Sequence, residues 1–478
     1  MAAKPVEVKL FTYRVGFGDC FLLRFSYAKG PPKHVLVDFG STARAVADTK
    51  VDAPMVRVAE DIAAKCTADG GSLVAIVATH RHRDHISGFS GASWKPIAKL
   101  KPQLVLLPWT EHPDAKVDAT AAPSSRRGKL ALGEDSRLHA GTLQAMHATA
   151  SAIVAEAQRK GTREAPKPAD KVKAAAERPD PEDSARPDVE GEAENALVPA
   201  AETSSDELVL GLHQFGKSTT RQLEFIGDDN LANEEALRNL STIAPCDYLS
   251  FGATTRLKKL LPGVNVDVLG PPTLEQTRGI MRQASKSKSE FWLAASAAAQ
   301  QSVGGKRLFP RAKVLKGEKN LPLETRWFIT KMNAVRGDQL LQLVRILDDA
   351  MNNTSLILLF TVAGKKLLFP GDAQLENWMY ALEHEKVRAK LADVDVYKVG
   401  HHGSTNATPK TLWALLQKKG RGLKTFMSTR KGKHGSPRSG TEVPRSTLVD
   451  ALETESQLFS TLSLTRRDEF VNETVIVP

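Results

Sequence analysis

Residues 72–85 read Ser-Leu-Val-Ala-Ile-Val-Ala-Thr-His-Arg-His-Arg-Asp-His. The continuous apolar run from Ser72 to Thr79 has the pattern of a strand buried on both faces, and it ends at the first of three histidines. His80, His82, Asp84 and His85 therefore project from a strand end into a loop. Imidazoles two residues apart can converge on one ion, while a carboxylate at i+4 and an imidazole at i+5 reach a second. Nitrogen and carboxylate donors together suit Zn²⁺, and also Mn²⁺ or Fe²⁺. A structural explanation is hard to find for this cluster. Buried, every polar group would need a partner; exposed, such a density is rare by chance.

On either side the sequence alternates between strand and helix patterns. Val8–Tyr13, Cys20–Tyr27 and His34–Phe39 read as consecutive strands separated by Gly- and Pro-containing turns. Val56–Cys66 carries apolar residues at helical spacing, and Leu104–Trp109 is a further buried strand. Helical spacing continues over about 135–160. Residues 161–206 are rich in Ala, Pro, Lys and Glu and lack aromatics, a composition that cannot offset ordering entropy, so a disordered or loosely helical insert is expected. Val264–Leu269 is another core strand, and 273–348 reads as a second, mostly helical insertion. Ser355–Thr361, Lys366–Phe369 and Val394–Val399 return to strand.

The cluster at 80–85 is the HxHxDH signature, and the chain here resembles the metallo-β-lactamase superfamily. That resemblance implies an α/β fold, a four-layer αββα sandwich, interrupted by two large helical or disordered insertions. The expected division is 1–112 for the first half of the fold, 113–244 for an insertion, 245–272 for a core strand segment, 273–348 for a second insertion and 349–478 for the second half. Further landmarks fall in the implied order. Asp38 matches the early aspartate that supports the metal loop, Asp372 the metal-bridging carboxylate, and His401-His402-Gly403-Ser404 the late histidine. His402 is the favoured ligand, with His401 close enough to act as an acid. Val15-Gly16-Phe17-Gly18-Asp19-Cys20 and the Lys398-preceded His-His-Gly-Ser resemble the ComEC-like branch, named for the nuclease-like domain of DNA-uptake proteins. Where most members place another histidine, this chain has Asn352-Asn353-Thr354-Ser355. Asn353 is thus assigned a supporting role, and the first metal position has only His80, His82 and Asp372.

Two divalent cations are expected, Zn²⁺ foremost with Mn²⁺ or Fe²⁺ as alternatives. The resemblance implies His80, His82, Asp84, His85, Asp372 and His402 as the ligands. Asp84 and Asp372 are also expected to orient the attacking hydroxide, and His401 or His434 to protonate the leaving oxygen. Lys398, Ser404, Arg430, Lys433 and Arg438 are candidate substrate contacts. The last three lie in the Gly-punctuated basic loop Thr429–Arg438, where charge-assisted hydrogen bonds to phosphate are available.

Charge agrees with an anionic substrate. Residues 177–206 hold ten acidic residues against two basic, a local net of −8, which leaves +19 on the rest of a chain whose total is +11. A basic body favours nucleic acid or nucleotides. Aromatic content of 6% argues against extensive base stacking, so backbone phosphates would dominate any nucleic-acid contact. The expected function is a metal-dependent phosphodiesterase or nuclease acting on DNA, RNA or a nucleotide. Alternatives are a hydrolase of another ester, amide or thioester, and a non-catalytic or partner-activated metal-binding module whose insertions recruit a protein. Cys20, Cys66 and Cys246 form no CxxC pair and fit a reducing compartment. Without a recognisable signal peptide or membrane span, a cytoplasmic location with no membrane partner is expected.

Overall fold

Strand β2 (Cys20–Tyr27) shows how the sequence builds the core, because both of its faces are apolar. Phe21, Leu23 and Phe25 point into one buried cluster, while Cys20 and Leu22 point into another. Strand β8 (Ile357–Val362) divides in the same way, with Leu358, Phe360 and Val362 on one side and Ile357 and Leu359 on the other. Period-two alternation with two apolar faces places each strand between layers. The computed structural model describes residues 4–42, 54–112, 233–277, 351–404, 408–432, 442–464 and 470–477. The chain divides into two units, residues 1–132 with 233–280 and 350–478, and residues 133–232 with 281–349. All described residues belong to the first unit.

Seven strands form the first sheet: β1 (Pro5–Tyr13), β2, β3 (Lys33–Phe39), β4 (Ser72–Val77), β5 (Leu104–Pro108), β6 (Cys246–Leu249) and β13 (Val471–Val477), in the order β13-β1-β2-β3-β4-β5-β6. Its β13-β1-β2-β3 part is antiparallel, and β3-β4-β5-β6 is parallel. The second sheet runs β12-β11-β10-β9-β8-β7, from β7 (Val264–Gly270), β8, β9 (Lys365–Phe369), β10 (Val396–Lys398), β11 (Lys424–Met427) and β12 (Gln457–Ser460). It repeats the scheme: β7-β8-β9 is antiparallel and β9-β10-β11-β12 is parallel.

The two sheets share one apolar cluster, in which Phe21 on β2 meets Phe369 on β9 edge-on with ring centres 6.0 Å apart. Helices cover the outer faces. Val58, Ala59, Ile62 and Cys66 of α1 (Pro54–Thr67), Ile97 of α3 (Gly91–Lys99), and Ala236 and Leu240 of α4 (Glu234–Ile243) pack on the first sheet. A short α2 (Arg83–Ile86) precedes α3, and α5 (Leu257–Leu260) lies between β6 and β7. On the second sheet pack Trp378 and Ala381 of α6 (Leu375–Glu383), Val387 and Leu391 of α7 (Glu385–Ala392), Leu412 of α8 (Lys410–Leu415) and Leu452 of α9 (Ser446–Glu455). The chain is therefore α/β, with two mixed sheets face to face and helices outside. No described helix is long and apolar enough to cross a membrane. The expected insertion segments 135–160 and 161–206 lie outside the described residues, as does 278–348 of the second insertion. The cysteines are free, and Cys20 and Cys66 are buried among apolar side chains.

Phe369 meets Phe21 across the sheet interface and Phe360 on the neighbouring strand of its own sheet, the latter with ring centres 5.9 Å apart. Phe369→Ala should lower stability by about 3–5 kcal/mol, the usual loss for a buried aromatic. Urea unfolding measures it, and a change under about 1 kcal/mol would contradict an inter-sheet core centred on this residue.

Candidate metal centre

The C-terminal ends of the parallel strands bring distant residues together, the usual place for ligands in α/β sheets. Asp38 lies near the end of β3; Thr79 to His85 follow β4; Asp372 follows β9; His401 and His402 follow β10; Ser428 follows β11. Backbone hydrogen bonds tie these segments. The Asp19 N–H donates to the Asp84 carbonyl (2.8 Å), the Gly40 N–H to the Asp19 carbonyl (3.0 Å), and the Leu356 N–H to the Thr79 carbonyl (2.9 Å). The Ser428 hydroxyl donates to the Gly18 carbonyl (2.6 Å). Such close approach requires glycine at two places. A Cβ on Gly40 would sit 2.4 Å from the Asp84 carbonyl carbon and the His85 nitrogen. Gly371 has φ +57°, and a Cβ there would meet Thr79 Cβ at 2.7 Å.

Asp84, His85, Asp372 and His402 are all buried, and each offers one ligand atom within 4.8 Å of the others. His402 Nε2 lies 3.0 Å from Asp84 Oδ2 and 3.6 Å from Asp372 Oδ2. His85 Nε2 lies 2.9 Å from Asp372 Oδ2, yet it makes no hydrogen bond of acceptable geometry. His402 Nε2 and Asp84 Oδ2 share a hydrogen bond, whereas His85 Nε2 has none, and the four groups together could hold a metal ion. The opposite ring nitrogens are fixed from behind: His85 Nδ1 by Asp38 Oδ2 at 2.8 Å and His402 Nδ1 by the Ser428 carbonyl at 3.0 Å. That orients both Nε2 atoms inward. Asp38 is itself held by Thr79, whose N–H and Oγ1–H donate to its two oxygens at 2.8 Å each.

Electrostatics favour a cation. Among the described residues, Asp19, Asp38, Asp84 and Asp372 are four buried carboxylates, with Lys398 the one ammonium placed among them. Burial by itself would lower the His402 pKa, but Asp372 and Asp19 outweigh it and push the imidazole up to about 10. Burial acts likewise on His85, where Asp372, Asp38 and Asp84 raise it well above the usual range. Burial works against ionisation of Asp84 and Asp372, yet His85 and its neighbours hold both far below ordinary carboxylates. Protonated imidazoles thus supply positive charge that a divalent cation would supply in their place, leaving neutral imidazole ligands. The residues present fit a metal ion.

His80 and His82 stand beside this group rather than in it. His80 Nε2 lies 3.0 Å from His82 Nδ1, and the His80 and His85 rings are 4.2 Å apart. Burial, then His85 and His82, keep the His80 pKa well below the usual imidazole value. Of the adjacent pair 401–402, it is His402 that joins the four-residue group. His401 is half-buried, donates its N–H to Asp372 Oδ1 (3.1 Å), and carries a pKa lowered by burial. Lys398 departs from expectation. Rather than facing substrate, it is buried against Asp19, Asp372 and the Gly371 carbonyl. Asn353 braces the Asp372 loop, accepting from the Gln374 N–H at 3.2 Å and donating to Glu376 Oε2 at 3.0 Å. Ser404 and Arg430 are half-buried near the strand ends; Lys433, His434 and Arg438 lie outside the described residues.

Sequence reasoning missed Asp19 as a site residue. It is fully buried, forms an ion pair with Lys398, and belongs with Asp38 and His85 to a second cluster of ligand-type groups. The signal was present: an acid between Gly18 and the apolar run Cys20–Leu23 cannot be buried without a counter-charge. The chain matches no family model and no curated protein.

Metal removal and pH should act with opposite signs. In the metal-free chain the raised pKa values of His85 and His402 contribute stability that is complete below the unfolded value of about 6.5. This contribution is lost as pH climbs towards about 10 for His402. The metal-free melting temperature should therefore fall between about pH 6.5 and 8.5, each retained proton weighing about 1.4 kcal/mol per pH unit. The increment from added Mn²⁺ or Zn²⁺ should grow over the same window, because protons compete with metal. A flat metal-free profile with a pH-independent increment would contradict the site.

Proposed function

We propose that this chain is a metal-dependent hydrolase of the metallo-β-lactamase type, acting as a phosphodiesterase or nuclease on DNA, RNA or a nucleotide. The observation that carries the reading is the convergence of Asp84, His85, Asp372 and His402, from three separate chain segments, at one set of strand ends. The two mixed sheets with helices outside agree with the αββα architecture that the HxHxDH resemblance implies. The basic composition, net +11 overall, favours a phosphate-bearing substrate.

When bound, a divalent cation supplies Lewis acidity towards a phosphoryl oxygen and lowers the pKa of water from about 16 towards 7. The chain's own residues do the rest. Asp84, His85, Asp372 and His402 would hold one cation, Zn²⁺ foremost with Mn²⁺ or Fe²⁺ as alternatives. His80 and His82 offer imidazole nitrogens beside them for another. Asp38 and the Ser428 carbonyl fix the ring orientation of His85 and His402. His401, beside Asp372, is placed to take and return a proton, and Arg430 provides a cation at the end of β11 for a neighbouring phosphate.

The test is elemental analysis with a Mn²⁺/Zn²⁺ activity screen on plasmid, single-stranded DNA, RNA and cyclic nucleotides. Wild type should carry metal and cleave a phosphodiester, whereas Asp84→Ala/His402→Ala should lose both. Asp38→Asn should weaken metal affinity or activity about 10–100-fold. Full cleavage by the double variant would refute the assignment, and ester or thioester hydrolysis without phosphodiester cleavage would move the substrate class. If duplex DNA is bound, log affinity should fall against log salt with a slope of about −0.9 per phosphate contacted.

A further inference from the structure

Asp372 does not offer both of its oxygens to the cluster. Its Oδ1 lies 3.3 Å from Lys398 Nζ and accepts from the His401 N–H at 3.1 Å. Its Oδ2 faces His85 Nε2 at 2.9 Å and His402 Nε2 at 3.6 Å. The Asp372 N–H donates to Ser355 Oγ at 3.3 Å, fixing the carboxylate from the backbone side. Lys398 is in turn anchored twice, to the Gly371 carbonyl at 3.0 Å and to Asp19 in an ion pair. Asp19 is wired to the other ligand segments as well. Its N–H donates to the Asp84 carbonyl at 2.8 Å, and its Oδ1 lies 3.4 Å from His402 Nδ1. Lys398 and Asp19 are both buried, so water does not replace either partner.

We propose that Lys398 and Asp19 form a positioning pair that commits one oxygen of Asp372, so that Asp372 presents only Oδ2 to the cation. This rests on the metal-binding reading above and deepens it. Lys398 contacts no reacting group; it acts through Asp372. Asp19 serves the pair by neutralising the ammonium, which would otherwise repel a cation from a few ångströms away, and by linking Asp372 to the backbone of Asp84.

Charge and geometry make opposite demands here, which allows a decisive experiment. If Lys398 were only a charge, Lys398→Met would leave the cluster more negative and tighten cation binding. As a positioning residue its loss frees Asp372 and weakens binding. The experiment titrates the full-length chain with Mn²⁺, following the free-ion paramagnetic resonance signal, with melting curves to establish folding. Asp19→Asn/Lys398→Met keeps the net charge of the wild type and replaces an ion pair by neutral groups of similar size, so it isolates geometry. That variant and Lys398→Met alone should each bind Mn²⁺ about 10–100-fold more weakly. Asp19→Asn retains an acceptor for Lys398 and should lose about tenfold, because the ammonium then has Asp372 as its nearest anion.

A double variant within about twofold of wild type, or tighter binding by Lys398→Met, would overturn the proposal. Should the lysine variants fail to fold, unchanged affinity in Asp19→Asn overturns it alone. A wild-type chain that takes up no Mn²⁺ contradicts the metal reading itself; a wild type that binds while every variant matches it contradicts only the positioning role.

Discussion

Four carboxylates buried at one set of strand ends repel each other, and the first unit is organised around answering that charge. Two unit charges about 4 Å apart interact by about 4 kcal/mol at an effective dielectric of 20, so the cluster cannot persist without compensation. Each carboxylate has a different answer. Asp38 accepts from Thr79 and faces His85; Asp19 takes Lys398; Asp84 and Asp372 share His85 and His402, with Lys398 also beside Asp372. The last two are answered by imidazoles, groups that exchange a proton for a metal ion near neutral pH. A structural ion-pair network has no need of that exchange, whereas a metal centre depends on it.

The backbone bears the cost of this assembly. Asp38, His401 and His402 hold φ values of 54°, 43° and 51°, a region that side-chain-bearing residues rarely adopt. Strain of about 1–3 kcal/mol each persists only where surroundings over-determine the conformation. Here they do, through the Thr79–Asp38 bonds, the His401 N–H to Asp372, and the Ser428 carbonyl behind His402. Rigidity comes from the layers beneath. Strands with two apolar faces fix the sheets against one another and against the helices, so their ends arrive in register.

Much of this was legible because the signals were local. Strand-like runs set off by Gly- and Pro-containing turns marked β1, β2 and β3 closely, and the apolar run before His80 marked β4. The ends Gly371-Asp372 and Gly400-His401-His402 followed buried strands as read. The edge strands β6, β12 and β13 were less visible. β6 and β12 have only four residues each, and β13 opens on a run of three polar residues, Asn472, Glu473 and Thr474, after Val471. In the site, the part that needed coordinates was long-range. Nothing near Lys398 in sequence reveals that Asp19, almost 380 residues earlier, takes its charge. A lysine beside a histidine pair reads as a substrate contact until burial shows otherwise. Likewise the spacing of His80 and His82 allows convergence on one ion, but only tertiary packing decides that they face each other beside the four-residue group.

The account stands or falls on where a cation binds. Crystals grown with Mn²⁺ and measured at its absorption edge would locate the ion by anomalous scattering. The structure predicts a strong peak enclosed by Asp84, His85, Asp372 and His402. A metal-soaked crystal with no peak there, or with its peak elsewhere on the molecule, would contradict it.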